Sequence, residues 1–119
     1  MYELPNSFDP STFNGRILDV VSFSANSIVL VFEADLRITI GGAYAHEIPG
    51  EAPILKRADM STAESRLMGL AGKRVTQASS ADRKTLVLEF EDGRVVKCIG
   101  DCDEYECYHI VEAGTEIIV

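Results

Sequence analysis

Two stretches of this chain run through the same order of features, and no other property narrows its possible folds as far. The first opens on Phe13-Asn14-Gly15-Arg16-Ile17-Leu18 and the second on Leu70-Ala71-Gly72-Lys73-Arg74-Val75. Each presents a large apolar residue, a small or polar one, glycine, a base and a strand-like segment. Next comes Ile28-Val29-Leu30-Val31-Phe32-Glu33-Ala34-Asp35, answered by Leu86-Val87-Leu88-Glu89-Phe90-Glu91-Asp92-Gly93. His46 precedes Ile54-Leu55 by the interval that separates His109 from Ile117-Ile118, which puts the two histidines at equivalent places. The halves align as about residues 13–56 and 70–119. Units of this size predict two related β-meanders over one core, since a solenoid needs three or more repeats.

Inside each unit the period is two, the spacing at which strand side chains return to one face. Ile28, Leu30 and Phe32 alternate with Val29 and Val31, and Leu36, Ile38 and Ile40 alternate with Arg37 and Thr39. In the second unit Leu86, Leu88 and Phe90 form the apolar set. Asp92-Gly93 marks a hairpin, because glycine accepts the positive φ of the turn. Aligning Leu36, Ile38 and Ile40 with Arg94, Val96 and Cys98 selects a three-residue turn with a glycine bulge, which turns Val96 and Cys98 inward. One short helix is expected over about residues 62–71. Ser61 and Glu64 make its capping box, Ala63, Leu67 and Leu70 its apolar stripe, and Gly72 its left-handed end. Asp9-Pro10 predicts a single capped turn at the corresponding point of the first half. The expected fold is mainly β: two meanders in a single domain, 1–119, forming a sandwich or a closed barrel.

A chain of 119 residues suits one core. Its 19 acidic residues against 11 basic ones give a net charge of −8, which repels phosphate backbones and anionic membranes. Nucleic acid and membrane are therefore not expected partners. The longest apolar run, Ile28 to Phe32, is far too short to span a bilayer, and the first residues lack a signal-peptide pattern. Three cysteines, Cys98, Cys102 and Cys107, are an odd number and predict free thiols in a reducing, cytoplasmic setting.

The charge is unevenly placed. Between Glu89 and Glu106 stand seven acids against Arg94 and Lys97, centred on the run Asp101-Cys102-Asp103-Glu104-Tyr105-Glu106. Its acids match only a fragment of a calcium loop. Asp101, Asp103, Glu104 and Glu106, with Tyr105 and Tyr108 as aromatic anchors, suit a docking surface for a basic protein partner. Cys102, Cys107 and His109 are candidate metal ligands, although their spacing is not that of paired zinc knuckles. His46, His109 and Cys107 could instead furnish a small-molecule or metal site in a barrel, with the two histidines facing each other. No nucleophile–base constellation, phosphate loop or cofactor motif is found, so a non-enzymatic protein without a cofactor is expected. A homodimer formed by edge-strand pairing is the third possibility.

Three motifs of the second half resemble a pattern of small bacterial proteins classed as domains of unknown function. These are Leu70-Ala71-Gly72-Lys73-Arg74-Val75, the hairpin Leu86 to Gly93, and Tyr105-Glu106-Cys107-Tyr108. The resemblance covers about residues 70–111, and Cys107 departs from the small residue usual in the last motif. No catalytic residue carries over. Some similar small acidic β-domains look like immunity or accessory proteins of bacterial toxin systems, which implies an immunity-like role.

Overall fold

A computed structural model describes residues 3–58, 66–100 and 107–119. Among these residues ten strands form two five-stranded antiparallel sheets. The first half supplies β1 (Leu18–Phe23), β2 (Ile28–Phe32), β3 (Leu36–Ile40), β4 (Ala43–Glu47) and β5 (Ile54–Arg57). The second supplies β6 (Val75–Ser79), β7 (Leu86–Phe90), β8 (Val95–Cys98), β9 (Tyr108–Glu112) and β10 (Thr115–Ile118). Sheet 1 has the order β1-β2-β3-β9-β10 and sheet 2 the order β5-β4-β8-β7-β6. Each sheet thus takes a three-strand meander from one half and a two-strand hairpin from the other. The sheets pack as a sandwich and do not close, which removes the barrel alternative.

Register carries the correspondence between halves to single residues. Both meanders bulge at the same point, between Leu18 and Val20 in β1 and between Val75 and Gln77 in β6. Ile17 and Arg74 bridge one another across the two first strands. Around them the Leu18 N–H donates to the Lys73 carbonyl and the Val75 N–H to the Arg16 carbonyl, both at 2.9 Å. Gly15 and Gly72 complete the pattern by donating to the carbonyls of Val75 and Leu18, each at 2.7 Å.

The inward residues are those the alternation picks out. Ile28, Leu30, Leu36, Ile38, Ile40, Leu86, Leu88, Val96 and Cys98 are fully buried, with Phe32 and Phe90 beside them. Phe13 packs edge-on against Phe32, with ring centroids 5.3 Å apart. The β7–β8 turn is the expected three-residue one: Phe90 N–H donates to the Arg94 carbonyl at 2.9 Å, and Gly93 sits at φ +88°. The Asp9 turn is also as expected, Pro10–Phe13 forming a 3-10 turn whose Ser11 N–H donates to the Asp9 carboxylate at 3.0 Å.

The predicted helix is corrected where it is described. Leu67–Leu70 is a 3-10 turn, and Arg66 before it has φ −96° and ψ 8°. Burying Leu67 and Leu70 together suits the three-residue period of a 3-10 turn, which stacks i and i+3 on one side. Ser61, Ala63 and Glu64 lie outside the described residues.

Candidate partner-binding surface

The acidic run Asp101, Cys102, Asp103, Glu104, Tyr105 and Glu106 lies outside the described residues, between Gly100 and Cys107. At Gly100 a Cβ would lie 2.0 Å from the Lys84 carbonyl oxygen, so only glycine fits that close backbone approach. Its N–H reaches the Thr85 hydroxyl at 3.5 Å. On the other side Cys107 is fully buried. Its N–H donates to the Val119 carbonyl at 2.6 Å, and its own carbonyl accepts from Gly41 and Gly42 at 2.9 and 3.0 Å. Cys107 is also disulfide-bonded. That corrects the expectation of three free thiols and removes the thiol argument for a reducing cytoplasm.

Tyr108 is 1% exposed, which corrects its assignment as an anchor for a partner. Its hydroxyl donates to the Lys84 carbonyl at 2.7 Å, the same carbonyl against which Gly100 packs. Burial pushes the phenol pKa well up, with Cys98 and Asp82 adding to it. Tyr44 holds the matching place in β4: Ile40 pairs with Tyr108 and Cys98 with Tyr44. The alternation into β9 gives this inward direction, but the acids before Tyr108 obscure it.

Structure also divides the acidic stretch 89–108. Phe90 pairs at the turn end of the β7–β8 hairpin, while Leu86 pairs with Cys98 at its far end. Four residues of strand, about 13 Å, separate the two ends. Glu91 and Asp92 therefore sit away from the points where the run is anchored. Asp92 is engaged locally, accepting from the Arg94 backbone at 3.0 Å and pairing with its guanidinium at 3.2 Å.

The histidines do not meet. His46 lies on β4 in sheet 2 and points inward, 1% exposed. His109 lies on the outward face of β9 in sheet 1, its Nδ1 3.8 Å from Glu116. Register shifts their equivalence by one: Val96 pairs with His46 and Ile38 with Ile110, so Ile110 occupies the place of His46. Equal intervals to the next apolar pair suggested otherwise, because an interval cannot register a one-residue change of phase. The Nε2 of His46 is buried without a hydrogen-bond partner. Burial lowers its pKa, helped by Arg94 and Arg66 and opposed by Asp92 and Glu51. Cys98 lies in the core with its thiol pushed up to about 12 by burial. His46 and His109 thus lie in different sheets, and among the described residues no three His, Cys, Asp or Glu side chains could hold a metal ion.

One polar cluster had no sequence signal. Arg16 donates to the Thr12 carbonyl at 2.9 Å and to the carbonyls of Glu33 and Ala34 at 3.1 and 3.2 Å, and it pairs with Glu112 at 3.3 Å. The Thr12 hydroxyl donates to the same Glu112 carboxylate. The cluster lies in a groove of about 840 Å³ between the first 3-10 turn and the β9–β10 hairpin. Its members already satisfy one another, which describes a clamp on the hairpin. Thr12 and Glu112 stand 100 residues apart, beyond any local pattern.

Compared with family models, curated proteins and solved structures, the chain matches none. Among the described residues no helix is long and apolar enough to cross a membrane.

Proposed function

We propose that this chain is a non-enzymatic binding protein that engages a basic protein partner through the acidic run Asp101 to Glu106. One observation supports this reading above the others. The run is bounded by Gly100 and Cys107, and both points are held by packing and hydrogen bonds to the sandwich. Binding residues are commonly held between points that a rigid scaffold fixes. Tyr105 is the aromatic anchor of the proposal, Tyr108 being spent on the core. In its concrete form the protein is immunity-like and neutralises a basic toxin, which follows from the resemblance of the second half to small bacterial β-domains.

The test is capture from a bacterial lysate at low salt. The wild-type chain should retain a basic protein at one-to-one stoichiometry, and 0.5 M salt should release it, as screening of a charge-steered contact requires. Asp103→Lys/Glu104→Lys should retain at least tenfold less. Equal retention by that variant would overturn the proposal.

A further inference from the structure

Three matched positions distinguish the two sheets on their inward faces. Strand register equates Ile110 with His46, since Ile38 pairs with Ile110 and Val96 with His46. It also equates Leu36 with Arg94, each bonded to a phenylalanine across its hairpin, Phe32 or Phe90. The 3-10 turns correspond as Pro10–Phe13 and Leu67–Leu70, which sets Thr12 against Gly69. Sheet 1 therefore holds Leu36 and Ile110 at these places, both fully buried. Sheet 2 holds Arg94 and His46, beside a turn with no side chain at its third position.

These replacements act together. His46 and Arg94 are diagonal neighbours on adjoining strands, about 7–8 Å apart and within reach of long side chains. A Cβ at Gly69 would lie 2.8 Å from Arg94 Nη1, so the glycine leaves the room that the guanidinium occupies. Arg94 spends its Nε on Asp92 at 3.2 Å, and among the described residues neither Nη makes a hydrogen bond. The Nε2 of His46 is buried without a partner as well. The remaining charged groups in electrostatic reach of His46, Arg66 and Glu51, pair with each other. Isoleucine and leucine in sheet 1 show that the fold does not need this polar pair, and an unpaired buried nitrogen costs stability. Stability given up in this way is characteristic of groups held ready for a ligand. A neutral imidazole N–H and a planar guanidinium are both donors, and an oxyanion accepts from both. We infer that His46 Nε2 and the Arg94 Nη atoms together bind a small oxyanion, the carboxylate or phosphate group of a ligand. The Arg94 side chain is 23% exposed, so the ligand enters on its side. Asp92 and Glu51 oppose the incoming charge and keep the affinity modest.

Histidine-ring ¹⁵N spectra and thermal melts test this, with inorganic phosphate or acetate added to 50 mM against sodium chloride of equal ionic strength. Either anion should shift the His46 Nε2 resonance, leave that of His109 in place and raise the melting temperature by a few degrees. Whichever acts at the lower concentration names the ligand group. Arg94→Leu and His46→Ile install the residues of sheet 1, and each should weaken binding at least tenfold. Gly69→Ala keeps every charge and should weaken it at least threefold by pushing the guanidinium aside. Melts in chloride show that each variant folds. Asp103→Lys/Glu104→Lys should leave anion binding unchanged, so this inference and the proposal for the acidic run fail separately. No response to phosphate or acetate at 50 mM would overturn the inference. So would an equal response to chloride, or binding that survives undiminished in Arg94→Leu and Gly69→Ala, either of which marks an adventitious ion only.

Discussion

His46 stands where the other half of the molecule places isoleucine, and this substitution has a thermodynamic signature. In the folded chain burial, with Arg94 and Arg66, holds the imidazole pKa below its ordinary value of 6.5. The unfolded chain therefore binds the proton more readily. Stability is complete above about pH 6.5 and declines as pH falls below it, by at most about 1.4 kcal/mol per pH unit, until the folded imidazole also titrates. His46→Ile should flatten that slope between pH 7 and 5. It should also raise stability at neutral pH by about 1–2 kcal/mol, because it removes the unpartnered Nε2. Urea titrations of both proteins at several pH values measure the two effects together. An unchanged slope in the variant would show that another group governs the acid limb. Nothing in the sequence near His46 announced its burial as a defect, and only the register with Val96 shows which residue it replaces.

At the level of the elements, the β7–β8 hairpin has the turn residue its geometry favours, whereas the β2–β3 and β9–β10 turns put Ala34, Asp35 and Ala113 at positive φ. The β7–β8 turn places glycine at φ +88°. The corresponding β2–β3 turn puts Ala34 at φ +62° and Asp35 at φ +60°, where a Cβ crowds the following carbonyl. Ala34→Gly should therefore stabilise the protein by about 0.5–1 kcal/mol despite the flexibility it adds to the unfolded chain. Gly93→Ala should destabilise it by a similar amount or more, since its Cβ would also meet Pro49 at 3.0 Å. Paired thermal melts decide the signs, and a loss of stability in Ala34→Gly would refute the strain argument. Strands and turns were legible in the sequence because period-two alternation and Asp-Gly chemistry are local. The helix was misread because an i, i+3 spacing such as that of Leu67 and Leu70 fits the face of an α-helix as well as that of a 3-10 turn. The site was legible only as composition: the acidic run is plain, but the burial of Tyr108 and the separation of Glu91 and Asp92 depend on strand pairing.

For the whole molecule, the decisive fact is that neither half owns a sheet. Sheet 1 is β1, β2 and β3 completed by β9 and β10; sheet 2 is β6, β7 and β8 completed by β4 and β5. The order of features in the sequence pointed to two related units. It could not show that each lends its last hairpin to the other, because β3–β9 and β4–β8 pairing joins residues far apart along the chain. A chain divided between residues 62 and 63 should accordingly yield two fragments that are each unfolded alone. Mixed in equal amounts, they should regain β-sheet circular dichroism and one cooperative melt whose midpoint rises with concentration. A fragment that melts cooperatively by itself would contradict this. Ordered sheet is then a record of coincidence: it exists only where both halves are present together, at a level set by their affinity for each other.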